Sequence, residues 1–183
     1  MVKIYTQENR FKSPWSLKTK IKIFLWELIW FFFCKWTPKP FNNWRILILK
    51  IFGAKISGMP FVHQRAIISH PWNLILHDGA TIGDKAVLYA LDTIEVKELA
   101  TIAQESYICT GTHNFSSNYK ELMTDKIIIE EDSFIGARSF ILPGITIGKK
   151  SIIGACSLIS KNIPPNMTAY GNPAKIVSSK KSI

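Results

Sequence analysis

The sequence predicts an all-β solenoid with a helical appendage at its N-terminal end, and three observations lead there. First, from Leu76 to Ile163 a branched or long aliphatic residue returns every six positions. Leu76, Ile82 and Leu88 form one run, followed by Val96, Ile102 and Ile108, by Ile129, Ile135 and Ile141, and by Ile147, Ile153 and Ile159. Second, a short residue follows many of these, as at Gly83, Ala103, Gly136, Gly148, Gly154 and Ser160, and another small one sits four places on, as at Ala80, Ser139 and Ser157. Third, residues 16–52 lack this rhythm and read instead as two helices punctuated by Pro38, Pro40 and Gly53.

A period of six fits neither a helix nor a lone strand, but it fits a chain that coils with three short strands per turn. Each turn then takes about 18 residues, with the aliphatics stacked inside a triangular prism and the small residues bending the chain at its corners. A single coil cannot bury its own aliphatic face, so stability comes from stacked neighbours. Breaks in phase mark insertions. The step from Leu88 to Val96 is eight, and that from Ile108 to Ile129 is twenty-one. The longer break predicts an excursion of about 15 residues leaving the prism after His113, a loop over about 114–128 of the length that is often functional.

Taken in order, Met1 to Pro14 is a mixed polar arm, poorly ordered or lying on a neighbour. Ser16 can cap a helix running to about Trp36, where Pro38 and Pro40 withhold backbone donors. A second, amphipathic helix spans Asn43 to Phe52 and ends at Gly53. The first coil reads through Ile56, Val62, Ile68 and Leu74, with a slip of two around His70, Pro71, Trp72 and Asn73. Pro164 and Pro165 close the pattern, and the tail turns at Gly171, Asn172 and Pro173. The organisation is therefore an appendage over 1–55, a prism over 56–163 and a tail over 164–183.

The 183 residues carry a net charge of +10, concentrated in residues 1–55, which hold eleven Lys or Arg against two acids. The apolar centre of the first helix, Ile21 to Trp36, covers about 24 Å against a hydrocarbon core of roughly 30 Å, too short to cross without strain. Burial of the pair against the first coils is one alternative. The other is a pair in the membrane interface through residues 16–52, with Trp26, Trp30, Trp36 and Trp44 at headgroup depth and Lys18, Lys20, Lys22, Lys39, Arg45 and Lys50 facing anionic lipid. Nucleic acid is disfavoured because the basic residues flank an apolar run instead of lining a polar groove. Cys34, Cys109 and Cys156 form neither a close pair nor a metal spacing, which fits a reducing cytoplasm.

His113 is the leading candidate for chemistry. It follows Thr110, Gly111 and Thr112 where the rhythm breaks, and histidine is the side chain suited to taking a hydroxyl proton near neutral pH. The alternative is a corner histidine that only holds the loop. His63, His70 and His77 read as structural. A zinc site of three histidines would want one five residues after His113, where Asn118 stands, so no metal is expected. Cys109, directly after an inward aliphatic, reads as packing and not as a nucleophile.

The hexads, the Cys-Thr-Gly-Thr-His-Asn-Phe stretch at Cys109 to Phe115 and the Tyr-Gly-Asn-Pro-Ala-Lys stretch at Tyr170 to Lys175 resemble the hexapeptide-repeat acyltransferases, which are left-handed parallel β-helices. Trp44-Arg45, Phe52-Gly53-Ala54-Lys55, His70-Pro71-Trp72-Asn73 and the apolar helix before Thr37-Pro38-Lys39-Pro40 look most like the colanic acid biosynthesis acetyltransferases within that family. The resemblance implies transfer of acetyl from acetyl-CoA to a saccharide hydroxyl, in a homotrimer, with His113 as general base. It places the pantetheine arm of CoA near Ala137 and Ala155 and its phosphates near Lys161 and Lys175. For the acceptor it leaves Asn73, Tyr89, Asp92 and Asn114; family members often have an acid at the last position and asparagine near Ala90. Serine or an antibiotic as acceptor, a non-catalytic scaffold and a zinc-dependent hydratase are the alternatives.

Overall fold

The computed structural model describes residues 2–5 and 13–179. Three parallel sheets form the faces of a prism. The first holds Lys55–Ile56, Leu74–Leu76, Ile94–Val96, Ile127–Ile129 and Thr146–Ile147. The second begins at Phe61–Val62, passes through Thr81–Ile82, Thr101–Ile102, Phe134–Ile135 and Ile152–Ile153, and ends at Met167–Gly171 with Ala174–Ser179 folded back on it. The third stacks Ile67–Ile68, Val87–Tyr89, Tyr107–Cys109, Phe140–Ile141 and Leu158–Ile159.

The register carries out the six-residue arithmetic. Leu76 pairs with Val96 and Val96 with Ile129; Ile82 pairs with Ile102 and Ile102 with Ile135; Leu88 pairs with Ile108 and Ile108 with Ile141. Every one of these side chains is fully buried. The small residues earn their positions differently: the hydroxyls of Ser106, Ser139 and Ser151 donate to the carbonyls of Gly136, Gly154 and Pro164 at 2.9, 2.9 and 2.7 Å, satisfying corner carbonyls one coil on. At Gly136 the coils approach so closely that a Cβ would lie 2.6 Å from the Ala155 nitrogen.

Turn size is not uniform. The first coils advance twenty residues, from Ile56 to Leu76 and on to Val96, whereas the last advance eighteen, from Ile129 to Ile147. The extra residues all lie on the edge where the third face passes to the first, at the turn Pro71–Asn73, at residues 90–93 and in the excursion. That excursion is a hairpin: Gly111–His113 pairs antiparallel with Leu122–Thr124. It thus leaves the prism before His113, and its return strand is complete by residue 124. Of the N-terminal arm, Lys3–Tyr5 adds to Leu122–Thr124 as a third antiparallel strand, while residues 6–12 lie outside the described residues.

Helix α1 (Leu17–Phe33) starts at Ser16, whose Oγ accepts from the Thr19 amide at 3.2 Å. It packs on the first coil through Trp26 and Trp30, whose indole nitrogens donate to the carbonyls of Ile68 (2.6 Å) and Ala66 (3.1 Å). Helix α2 (Asn42–Ile51) buries Ile46, Ile48 and Leu49 and stops at Gly53, where φ is +96°. Of the two alternatives for this region, packing on the first coils is what the structure shows for Trp26 and Trp30, and the lipid-facing placement is corrected for them and for Arg45, which is fully buried. Its Nε donates to the Val62 carbonyl at 2.8 Å, while its two terminal nitrogens reach Thr37 Oγ1 at 2.9 Å and the carbonyls of Pro38 and Lys39 at 3.0 Å each. A guanidinium fork can tie three consecutive linker residues to the prism in this way. Among the described residues, no helix is long and apolar enough to cross a membrane.

Candidate active site

His113 occupies the last position of the hairpin's outgoing strand, opposite Leu122, with its side chain exposed. Gly111 opens that strand with Leu91 and Tyr89 beside it, and a Cβ there would lie 2.7 Å from Leu91 Cδ1. His113 Nδ1 stands 2.8 Å from the Lys120 carbonyl across the hairpin. A carbonyl only accepts, so Nδ1 carries a hydrogen in this contact and Nε2 is the ring nitrogen that takes no part in it. The imidazole is therefore oriented by main chain, in place of the carboxylate that position 114 does not provide.

Asn114 supports that arrangement. Its Oδ1 accepts from the Ser116 amide at 3.2 Å and its backbone amide donates to the Glu121 carbonyl at 2.9 Å, closing the loop that brings the Lys120 carbonyl to the His113 ring. Its oxygen is thus engaged in the loop. Asn73 is committed too: its side-chain nitrogen donates to the carbonyls of Ala90 (2.8 Å) and Leu91 (3.0 Å), fastening one corner insertion to the next.

Asp92, expected as an acceptor contact, is buried and tied to the arm. It meets Lys3 Nζ at 2.8 Å, the Thr93 amide at 2.7 Å and the Thr124 hydroxyl at 3.4 Å. Burial alone would raise its carboxyl, but those partners outweigh burial and hold it below the usual carboxylate range. Tyr89 remains beside the hairpin, against Gly111, and also lines a groove of about 390 Å³ between α1 and the third face. Burial pushes its phenol above the ordinary range.

Cys109 is buried, donates to the Gly111 carbonyl at 3.2 Å, and has its thiol pushed up by burial, the opposite of an activated nucleophile. His63 meets Asp84 at 3.1 Å and His77 meets Glu95 and Glu98 at 3.0 and 3.1 Å, as structural histidines do. Among the described residues no group of His, Cys, Asp or Glu is placed to hold a metal ion.

Lys161 and Lys175 come together. They line one pocket of about 270 Å³ at the C-terminal end of the prism, with Asn162 and Ala174 between them. Lys161 lies at the same edge as the hairpin, because residues 160–162 also connect the third face to the first. Ala137 and Ala155 belong to a different edge, where the second face passes to the third. The Ala137 carbonyl accepts from Cys156, and the Ala137 and Ala155 amides have no partner among the described residues. One chain therefore keeps the histidine and these main-chain donors on separate edges. The Lys120 carbonyl, which fixes the histidine, escaped sequence reasoning because a main-chain acceptor has no residue signature.

The three-faced parallel solenoid with its corner insertions is the architecture of a hexad-repeat protein. The family model for the hexapeptide repeat of succinyl-transferase matches residues 126–161. The Escherichia coli K12 protein WcaF, which carries the name of a colanic acid biosynthesis acetyltransferase, is 35% identical over 157 residues, covering 86% of each chain. The chain belongs to the hexapeptide-repeat acetyltransferase family. A galactoside O-acetyltransferase from Lactococcus lactis is 42% identical over 72 residues, 38% of this chain and 35% of that one. The hexapeptide-repeat acetyltransferase of Vibrio cholerae, solved with acetyl-CoA, superposes with a TM-score of 0.80 at 19% identity, covering 93% of both chains. A maltose O-acetyltransferase from Clostridium difficile gives 0.78 at 23% identity, covering 91% of this chain and 90% of that one. These likenesses to solved structures bear on the fold.

Proposed function

We propose that the protein transfers an acetyl group from acetyl-CoA to a hydroxyl of a sugar, or of a lipid-linked saccharide precursor, in surface polysaccharide biosynthesis. The observation that carries this reading is the exposed His113 side chain with its Nδ1 held by the Lys120 carbonyl. The name of the Escherichia coli relative, similar over most of both chains, supports a saccharide acceptor.

His113 acts as general base. Its Nε2 takes the hydroxyl proton as the oxygen attacks the thioester carbonyl, and the resulting imidazolium returns it to the departing thiolate. No acyl-enzyme is involved, and much of the acceleration comes from holding two substrates in line. The chain fits the donor in two places. Lys161 and Lys175 share a pocket suited to phosphates, and the unpaired amides of Ala137 and Ala155 suit the amide carbonyls of a pantetheine arm. Since His113 and those alanines stand on separate edges, a complete site uses the edge of a second copy, and a homotrimer supplies three equivalent grooves. Tyr89, beside Gly111 at the base of the hairpin, is the candidate on the acceptor side. Use of acetyl-CoA places the reaction in the cytoplasm.

Thiol release from acetyl-CoA, measured with a panel of sugars and nucleotide sugars, tests the reading with wild type beside His113→Ala. Acceptor-dependent release that falls about 100-fold or more in the variant, with an unchanged melting temperature, is the expected result. Equal release by the two proteins would remove His113 from the chemistry.

A further inference from the structure

Helix α1 has two apolar stripes, and the prism covers one. At 100° per residue, Trp26, Ile29 and Trp30 cluster on the side that meets the first coil. On the opposite side Leu17, Ile21, Phe24, Leu28, Phe31 and Phe32 recur at helical spacing and are 38–74% exposed. Trp36, Phe41, Trp44, Leu47 and Ile51 are likewise exposed around α2. Contiguous exposed apolar surface of this kind marks a contact face.

The charges around it indicate what covers it. Lys18, Lys20, Lys35, Lys39 and Lys50 are exposed, Lys22 turns to the prism with its ammonium 3.9 Å from the Trp72 ring, and Glu27 is the one acid between Ser13 and Lys55. Lys35 lies over the rings of Phe31 and Trp36, 5.1 and 6.1 Å being the spacings of its ammonium from Phe31 and of the two rings from each other. Its stem thus runs along apolar surface while its charge stays outward. Two copies meeting through this patch about a two-fold axis would set lysines against lysines. A layer of anionic headgroups would neutralise them while its acyl boundary takes up the aromatic and aliphatic tips.

We propose that this α1–α2 surface docks the protein on an anionic lipid bilayer, with α1 lying in the plane of the interface. At about 26 Å, α1 is shorter than the hydrocarbon core of roughly 30 Å, which fits an interfacial helix and not a spanning one. The buried Trp26 and Trp30 anchor the helix to the prism, so docking brings the whole solenoid to the surface. The inference stands on the appendage alone and does not depend on the chemistry at His113.

Flotation of the full-length protein with vesicles tests it. The protein is expected to float with vesicles of phosphatidylcholine and phosphatidylglycerol, to stay at the bottom with phosphatidylcholine alone, and to lose binding as salt rises. Lys18→Gln with Lys20→Gln is expected to lower partitioning about 30-fold, and Phe24→Gln with Phe32→Gln to abolish flotation. Both pairs are exposed, and an unchanged melting curve shows that the fold is kept. Wild type remaining at the bottom with phosphatidylglycerol, or both variants floating as well as wild type, would overturn the proposal. So would a stripe whose substitution changes the oligomer size by light scattering while wild type ignores the vesicles, which assigns the surface to protein contact. Acetyl transfer to a soluble acceptor reads the His113 chemistry separately, so the two readings can fail independently.

Discussion

Replacing Arg45 by methionine tests whether the helical appendage is clamped to the prism by one buried guanidinium. Arg45 makes four hydrogen bonds, to Val62, Thr37, Pro38 and Lys39. A hydrogen bond to a charged group contributes about 1.5–3 kcal/mol, yet multiplying by four would overstate the loss. Pro38 and Lys39 are exposed, so their carbonyls can turn to water, whereas Val62 is fully buried and its carbonyl would be left without the guanidinium. Burial also disfavours the charge itself, lowering the Arg45 pKa, and methionine relieves that cost. One orphaned carbonyl and one lost strong bond, less the relieved desolvation, leave about 3 kcal/mol. For a chain of this size that lowers the melting temperature by about 6–12 °C. Arg45→Lys, with no planar fork, should fall between the two. Thermal melting by circular dichroism reads the effect, and limited proteolysis between α1 and α2 should accelerate in the methionine variant. A methionine variant melting within about 2 °C of wild type would refute the clamp and show that desolvation cancels its hydrogen bonds.

Two further outcomes follow from the core and the corner. Ile135 is fully buried between its register partners Ile102 and Ile153, so Ile135→Ala should cost about 3–4 kcal/mol in denaturant unfolding, and a cost under about 1 kcal/mol would mean that the coils close over the cavity. At the corner, burial first and Lys22 second push the His70 imidazole down to about 4. An unfolded histidine takes its proton near 6.5, so this stability is whole above about pH 6.5 and is lost as pH falls toward about 4, by up to roughly 3 kcal/mol. His70→Phe keeps a ring beside Trp15 and Trp72 and should flatten the fall in melting temperature between neutral and mildly acidic pH; an unaltered slope would contradict it.

The prism was legible because each inward position is held by the same constraint. A rung such as Ile135 touches equivalent rungs above and below, so only a branched or long aliphatic fills it, and the constraint repeats every six residues. Ser16 and Gly53 announced the helix ends through local backbone chemistry. What escaped depends on contacts distant in sequence. Lys3–Tyr5 is three residues long, too short to show a period, and its pairing with Leu122–Thr124 crosses more than a hundred residues. One of the two alternatives made Arg45 a lipid-facing cation, because nothing local shows that its fork reaches back to Pro38 and Lys39. Asn73 and Asp92 were visible as polar residues at phase slips, but a slip says where chain is added and not what fastens it. His113 was legible from Gly111 and the break in rhythm. The main-chain carbonyl that holds its ring was not.

The placement of every insertion on one edge has a physical reason that bears on the site. An added residue inside a strand would flip its inward side chains and break the stack, so added chain is tolerated only at corners. Once one coil carries extra residues at a corner, the next can cover them, as Asn73 does by donating to Ala90 and Leu91, and as Asp92 does by accepting from Thr124 of the hairpin above. The hairpin that carries His113 thus rests on two earlier corner insertions and is clamped by the N-terminal strand from outside. A histidine on an exposed loop would ordinarily be loosely held. Here the corner stack fixes the hairpin, the hairpin fixes the Lys120 carbonyl, and that carbonyl fixes the ring, so orientation is inherited from the prism through three successive contacts.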